Sequence, residues 1–287
     1  MCGKTEFRNK LVVEDKSVSK ESFAIQQCVA CAFQFTNPRP DTSSIGRYYE
    51  SDEYVSHNSA ATGLINQAYR LARFFTMRRK VSLVNRLAPR KGLLFDYGCG
   101  TGHFLAAAKA NGWKVAGVEP SARAREEATA RVGQPIGSGK LVDFELESFD
   151  TITLWHVLEH VHALNDTLNQ LVNRLKPDGV LLIAVPNVES LDAQHYRQEW
   201  AAYDVPRHLY HFSPQTMTQL LKKHKLKVLE TLPMPLDAYY VSMLSEKRRA
   251  ERSGGLLSVL KAGYKSKQYA AQHDGQYSSL LYVAVKR

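Results

Sequence analysis

The stretch Asp96-Tyr-Gly98-Cys99-Gly100-Thr-Gly102 sets three glycines at alternate positions directly after an apolar run. Glycine recurs in this way where the backbone must take positive φ or where something must approach it closely. A strand ending at Asp96, a glycine turn and a helix start would aim free N–H groups and the positive end of a helix dipole at one point. That arrangement suits a nucleotide-like cofactor. A dinucleotide fingerprint would need its third glycine at position 103, where His103 stands, so a nicotinamide cofactor is disfavoured. About twenty residues on, Glu119 ends the run WKVAGVEP, and a carboxylate there can accept two hydrogen bonds from ribose hydroxyls.

Three further groups of residues have the composition of chemical sites. His156-Val-Leu-Glu159-His160 has the HxxEH spacing of an inverted zinc protease, but such motifs lie within helices and this one follows the strand-like TITLW. Proton transfer, metal ligation and plain hydrogen bonding remain open for Glu159 and His160. The segment WAAYDVPRHLYHFS packs Tyr203, Asp204, Arg207, His208 and His211 into nine positions. His208 and His211 are suited to moving a proton near neutral pH, as is His156, while Asp204 and Arg207 are spaced to form an ion pair. Cys28-Val-Ala-Cys31 spaces two thiols to share one tetrahedral metal, and Cys2 offers a third. Cys99, inside the glycine turn, reads as a small packing residue.

The elements that position these groups follow from apolar periodicity. From Lys91 onward, short apolar runs near 92–97, 113–118, 149–155, 178–185, 226–232 and 279–286 alternate with helical patterns. A weaker run lies near 134–142. This alternation predicts a doubly wound, mostly parallel α/β sheet of seven strands covered on both faces. Leu164, Leu168, Leu171, Val172 and Leu175 form one helical stripe, and Phe104 to Ala110 forms another that stops at Asn111-Gly112. Residues 1–43 read as a small separate module, since the breaker TNPRPD rules out helix there. Residues 44–88 read as a helical cap or linker, and 89–287 as the main domain with a lid insertion at about 188–213.

DYGCGTG, Glu119, SFDTITLWHVLEHV and LKPDGVLLIAVPN, in that order, resemble the successive motifs of class I S-adenosylmethionine-dependent methyltransferases. The wording WHVLEHV, VPN and DVPRHLYHFS is similar to a subgroup that includes ubiquinone-pathway O-methyltransferases. The resemblance implies a Rossmann-like sheet closed by an antiparallel hairpin, with S-adenosyl-L-methionine as cofactor. Asp96, Gly98, Cys99, Gly100 and Gly102 would then surround its methionine end. Glu119 and Pro120 would hold its ribose, and Trp155 and His156 would flank it. The adenine-side acid is not evident in QPIGSGKLVDFELE, where Asp143 or Glu145 is the candidate. In such an enzyme Glu159 and His160 would be hydrogen-bond partners, a divalent metal site or an acceptor-side base, and His208, His211 and His156 are the candidate proton-handling groups. Cys2-Gly3 also looks like the second half of a CPxCG knuckle, which makes residues 1–43 zinc-ribbon-like. Cys2, Cys28 and Cys31 would be zinc ligands there, with His57 a possible fourth.

Composition bounds the remaining questions. A chain of 287 residues with 44% hydrophobic content falls in the globular class. No apolar run is long enough to span a membrane and the N-terminus lacks the apolar segment of a secretory signal, so the sequence reads as soluble and cytoplasmic. Four cysteines are too few for a disulfide scaffold in a chain of this length. The net charge of +10 favours anionic partners and keeps an RNA methyltransferase or nucleic-acid binder as the alternative. Much of that charge sits in RLARFFTMRRK and SEKRRAER, which read more simply as solvated helix faces. VPN at 185–187 differs from the NPPY of amino-methylating nucleic-acid enzymes, so a small-molecule acceptor is expected. The sequence fixes no oligomeric state.

Overall fold

The computed structural model describes residues 1–49, 64–88, 91–139, 141–249, 256–273 and 275–287. Three strands come first, β1 (Phe7–Glu14), β2 (Ser22–Cys28) and β3 (Gln34–Asn37). Helix α1 (Leu64–Leu87) leads into an alternating part: β4 (Leu93–Tyr97), α2 (His103–Ala110), β5 (Lys114–Val118), α3 (Ala122–Val132), β6 (Phe149–Trp155), α4 (Leu164–Arg174) and β7 (Leu175–Pro186). The chain then runs through α5 (Leu191–Tyr196), β8 (Tyr210–His211), α6 (Pro214–Lys223), β9 (Leu226–Pro233), α7 (Pro235–Arg249), α8 (Leu256–Gln272) and β10 (Ser279–Lys286). No helix among the described residues is long and apolar enough to cross a membrane.

The larger sheet has six strands in the order β5-β4-β6-β7-β10-β9. Strands β4 to β7 are parallel, and β10 runs antiparallel to both of its neighbours. Alternate residues of β7 feed opposite cores, as the pleat requires. Leu181, Ile183 and Val185 pack with Phe95, Ile152 and Leu154 on one face, where α4 adds Leu164, Leu168 and Leu171. Leu182 and Ala184 pack on the other face with Leu94 and Val283, closed by Leu105 of α2 and Val81 of α1. Apolar residues on both faces are what a sheet sandwiched between helices needs.

The seventh strand expected near 134–142 is not a strand. Among the described residues there, Gly137 makes one parallel bridge to Val118, and a 3-10 turn follows at Leu141–Asp143. Pro135 has no N–H to donate to a ladder, and Gly137 and Gly139 have no side chain to bury, so the run lacks what holds a strand in place.

The N-terminal strands form an antiparallel sheet in the order β1-β2-β3-β8. Its fourth strand comes from segment 188–213, expected from sequence to be a lid: Gln34 pairs with His211 and Phe35 with Tyr210. The core is shared in the same way, since Val13, Phe23 and Ile25 pack with Tyr196, Trp200, Tyr203 and Val205. Residues 1–43 therefore do not close on themselves. His57 lies outside the described residues.

Arg207 pins the two parts together. It is fully buried, and its guanidinium donates to Asp204 from Nε and Nη2 (3.0 and 2.9 Å), to Asp15 Oδ1 from Nη2 (2.8 Å) and to Tyr48 O from Nη1 (2.8 Å). Asp15 in turn accepts from the N–H groups of Ser17, Val18 and Ser19. Burial opposes the charge on Asp15, but the Arg207 bonds and the Ser19 N–H outweigh it and hold the carboxyl below its usual range. Removing one partner of a buried ion pair leaves an uncompensated charge. Asp15→Asn should therefore cost about 3 kcal/mol of stability, read as a lower urea midpoint at unchanged slope. Val12→Thr, at an exposed site on the preceding strand β1, should shift it by less than about 0.5 kcal/mol. Equal midpoints for the two variants would remove Arg207 from this role.

Candidate active site

The glycine turn leaves β4 and is drawn against β5, where the N–H groups of Gly98 and Cys99 both donate to Val118 O (2.9 and 3.0 Å). Its three glycines take positive φ, at 75°, 53° and 77°. Their surroundings differ. A Cβ on Gly98 would lie 2.7 Å from Val157, and one on Gly102 would lie 2.9 Å from the Ala128 backbone. A Cβ on Gly100 would meet nothing within 4 Å. The fold itself excludes side chains at 98 and 102, whereas at 100 the protein leaves the space open at the carboxyl edge of the sheet, where open α/β sheets bind ligands.

The acids sit at the two strand ends beside this turn. Glu119 accepts from Gly100 N through Oε2 (2.8 Å) and from Ser121 N through Oε1 (2.9 Å), so the carboxylate is tied to the loop it faces. Pro120 follows it and is exposed. Asp96 is buried beneath the turn and accepts from Thr153 Oγ1 (2.6 Å). Burial pushes its pKa up to about 7, against the opposing pull of Thr153 and Lys80. Cys99 is buried and its thiol is pushed upward by burial, which fits packing and not nucleophilic attack. Asp143 and Glu145 are both exposed.

At the end of β6, the Trp155 ring stands edge-on to Phe104 (5.4 Å between centroids), with Lys80 Nζ of α1 4.2 Å from its centre. His156 adopts φ 57°, a left-handed conformation that costs a non-glycine residue about 1–2 kcal/mol. Its Nε2–H donates to Asp237 Oδ2 at 2.8 Å, and its Nδ1 stands 3.5 Å from Glu159 Oε1. Burial works against its charge, but the two carboxylates prevail and raise its pKa to about 9. His156 is thus an imidazolium at neutral pH, a donor and not a proton acceptor. Neither Lys80 nor Asp237 carries a sequence signal: the first lies in a basic helix, and the second follows β9 with no motif around it.

The lid is laced to the turn after β6. Leu209 N donates to Glu159 O (2.8 Å), His160 Nδ1 to Arg207 O (3.0 Å) and Tyr210 OH to His162 O (3.1 Å). The rings of His160 and His208 meet edge to face with centroids 4.5 Å apart. His208 Nδ1 donates to Ala202 O at 2.8 Å. His211 is placed differently. Thr36 gives its hydroxyl proton to His208 O (2.7 Å) and so accepts from His211 Nε2 (3.0 Å). Burial, with the nearby His208, lowers the His211 pKa to about 3. The expected proton-handling role therefore does not fit His211, which fastens the lid to β3. Asp204 and Arg207 form the ion pair that their spacing predicts.

The three thiols converge at the far end of the N-terminal sheet. Cys2 Sγ lies 3.6 Å from Cys28 Sγ, and the sulfurs of Cys2, Cys28 and Cys31 all fall within 4.8 Å of one another. The backbone at Lys4 and a bond to Cys31 lower the Cys2 thiol to about 7, while burial raises that of Cys31. A cavity of about 350 Å³ opens beside them, walled by Phe7, Phe35, Arg39 and Tyr210.

Comparisons with known proteins agree with this geometry. Residues 69–231 match the family model described as a methyltransferase domain. Over 109 residues the chain is 38% identical to dTDP-4-amino-2,3,4,6-tetradeoxy-D-glucose N,N-dimethyltransferase of Saccharopolyspora spinosa. That alignment spans 36% of this chain and 44% of the relative, so the chain covers less than half of the relative's length. The fold is similar to that of 1,6-didemethyltoxoflavin-N1-methyltransferase from Burkholderia thailandensis, solved with S-adenosylhomocysteine (TM-score 0.54, 16% identity, 92% of this chain and 95% of that one). It is likewise similar to magnesium protoporphyrin IX methyltransferase from Synechocystis (TM-score 0.56, 15% identity, 86% of this chain and 100% of that one). With the model matching more than half of its length, on a Rossmann-like α/β sheet whose glycine turn and strand-end acids stand at the carboxyl edge, the chain belongs to the methyltransferase-domain family.

Proposed function

We propose that this protein transfers a methyl group from S-adenosyl-L-methionine to a small-molecule acceptor in the cytoplasm. The observation that carries the reading is the open space beside Gly100, the one glycine of the turn at which a Cβ would meet no atom of the described residues. Gly98, Gly100 and Gly102 would shape the cradle, Asp96 and Cys99 would brace it from below, and Glu119, beside Pro120, would take the ribose hydroxyls with the acceptor capacity left beyond its two N–H bonds. Trp155 and His156 would flank the bound molecule, with His156 fixed by Asp237. When bound, the cofactor would supply a methyl group on a sulfonium for transfer to the acceptor atom, leaving a thioether, and the acceptor's proton would have to be taken up. The chain's own work is alignment and handling that proton. His208 and His160, under the lid, are the groups we assign to the acceptor side.

WHVLEHV and DVPRHLYHFS support O- or C-methylation of the kind that the ubiquinone-pathway resemblance implies. The convergent sulfurs of Cys2, Cys28 and Cys31 also support a zinc ion in the N-terminal sheet, where it would tie the chain end to the turn after β2.

Calorimetry with S-adenosylhomocysteine tests the cradle. Gly100→Val should abolish binding, and Gly100→Ala, which carries a side chain at the same strained φ of 53°, gives the thermal midpoint against which its stability is judged. Gly102→Ala should instead lower the midpoint, because its Cβ would strike the Ala128 backbone. Undiminished affinity in Gly100→Val would refute the assignment. Glu119→Ala should weaken binding about tenfold, the loss of a charge-assisted bond of roughly 1.5 kcal/mol.

The imidazoles separate kinetically once an acceptor is in hand. His208→Ala should lower turnover by about 10²-fold with cofactor affinity nearly unchanged. His211→Ala should chiefly lower stability, and a larger loss of turnover there than at His208 would reverse the two roles.

A further inference from the structure

A buried carboxylate and two imidazoles converge where segment 188–213 meets the turn after β6. His160 Nδ1 and His208 Nδ1 each lie at hydrogen-bond distance from a backbone carbonyl, Arg207 O at 3.0 Å and Ala202 O at 2.8 Å. A carbonyl has no proton to give, so each ring carries a proton on Nδ1, and Nε2 is the nitrogen left to offer a lone pair to a metal ion. Tyr49 OH, 3.0 Å from His160 Nδ1, can accept from that same N–H. Glu159 is fully buried, and neither of its carboxylate oxygens makes a hydrogen bond among the described residues, the His156 Nδ1 standing 3.5 Å from Oε1. One ligand atom from each of Glu159, His160 and His208 lies within 4.8 Å of the other two. A buried carboxylate beside two imidazole nitrogens, with His156 on its other side as its nearest donor, has acceptor capacity left for a cation.

We propose that Glu159, His160 and His208 bind one divalent transition-metal ion. Two imidazoles and a carboxylate suit zinc, cobalt or iron(II), whereas magnesium and calcium prefer shells made of oxygen. The Nδ1–H bonds to Arg207 O and Ala202 O are the contacts that orient metal-bound imidazoles and fix their tautomer. Both carbonyls belong to the lid, so the lid's fold would set the ligand geometry. Three protein ligands leave a coordination position open for an exogenous oxygen or nitrogen atom. That this atom is the methyl acceptor's rests on the function proposed above, and the ion would then replace His208 and His160 as the group that makes its proton easy to lose; that the ion binds does not rest on that function.

The test is cobalt(II) titration of the chelator-stripped full chain, followed in the visible and near-ultraviolet. Cobalt on imidazole and carboxylate gives ligand-field bands without the sulfur-to-metal charge transfer that a thiolate site adds. The expected result is one such equivalent in the parent and in Cys28→Ser, with affinity weakened about 100-fold or more in Glu159→Gln and in His160→Gln. S-adenosylhomocysteine affinity, retained in both variants, reports that they are folded. Absence of a thiolate-free cobalt site in the parent, or equal affinity in parent and Glu159→Gln, overturns the proposal. Cofactor binding without the ion would leave the methyl-transfer reading standing, and the ion without cofactor binding would overturn that reading alone.

Discussion

A fully buried guanidinium, that of Arg207, joins parts of the chain that lie far apart in sequence: Asp15 after β1, Tyr48 before the helical segment, and Asp204 within the lid. Arginine alone has the five fixed donors to serve them all, because its planar fork meets two carboxylates and a carbonyl together. Arg248 of α7 adds a second cation to Asp204 at 3.2 Å, so two positive and two negative groups balance. Around this neutral cluster the apolar residues of the N-terminal sheet, the lid and α7 form one core. The positions of His160 and His208 follow, since one bonds the carbonyl of Arg207 and the other follows Arg207 in the chain.

The strands of the larger sheet were legible because their apolar residues serve cores on both faces, which leaves an unbroken run such as VLLIAV at 180–185. The glycine turn was legible for a different reason, since three backbone positions at positive φ write themselves directly into sequence. The run at 134–142 misled because its apolar residues are interrupted by Pro135 and two glycines, and only one bridge to Val118 survives. Lys80 was hidden in a basic helix that reads as a solvated face. In the structure it is turned inward over Trp155, where burial lowers its pKa although Asp237 and Asp96 pull the other way. His211 resembled His208 in type and setting, and only the hydroxyl of Thr36, remote in sequence, tells them apart.

Charge is segregated across the candidate site. One side holds the imidazolium of His156, bonded to Asp237, and Lys80, whose charge burial opposes while Asp237 and Asp96 favour it. The other holds Glu159 with two imidazoles whose protons are committed to carbonyls. Glu159 touches both sides, 3.5 Å from His156, and burial opposes its charge while that histidine sustains it. The strained backbone at His156 fits this division, because a residue in the left-handed region persists only where its surroundings over-determine it.

The pairing of β3 with β8 bears on how the molecule is made. Thr36 and His211, bonded across that junction, are 175 residues apart. Contacts of such separation form late, after the loop-closure entropy of the intervening chain has been overcome. During synthesis the first three strands emerge with one edge of β3 unpaired and with Asp15 lacking its guanidinium. They must wait in that state, as an open template for wrong partners, until the 174 residues from the end of β3 to His211 have followed. A sheet begun early is finished late.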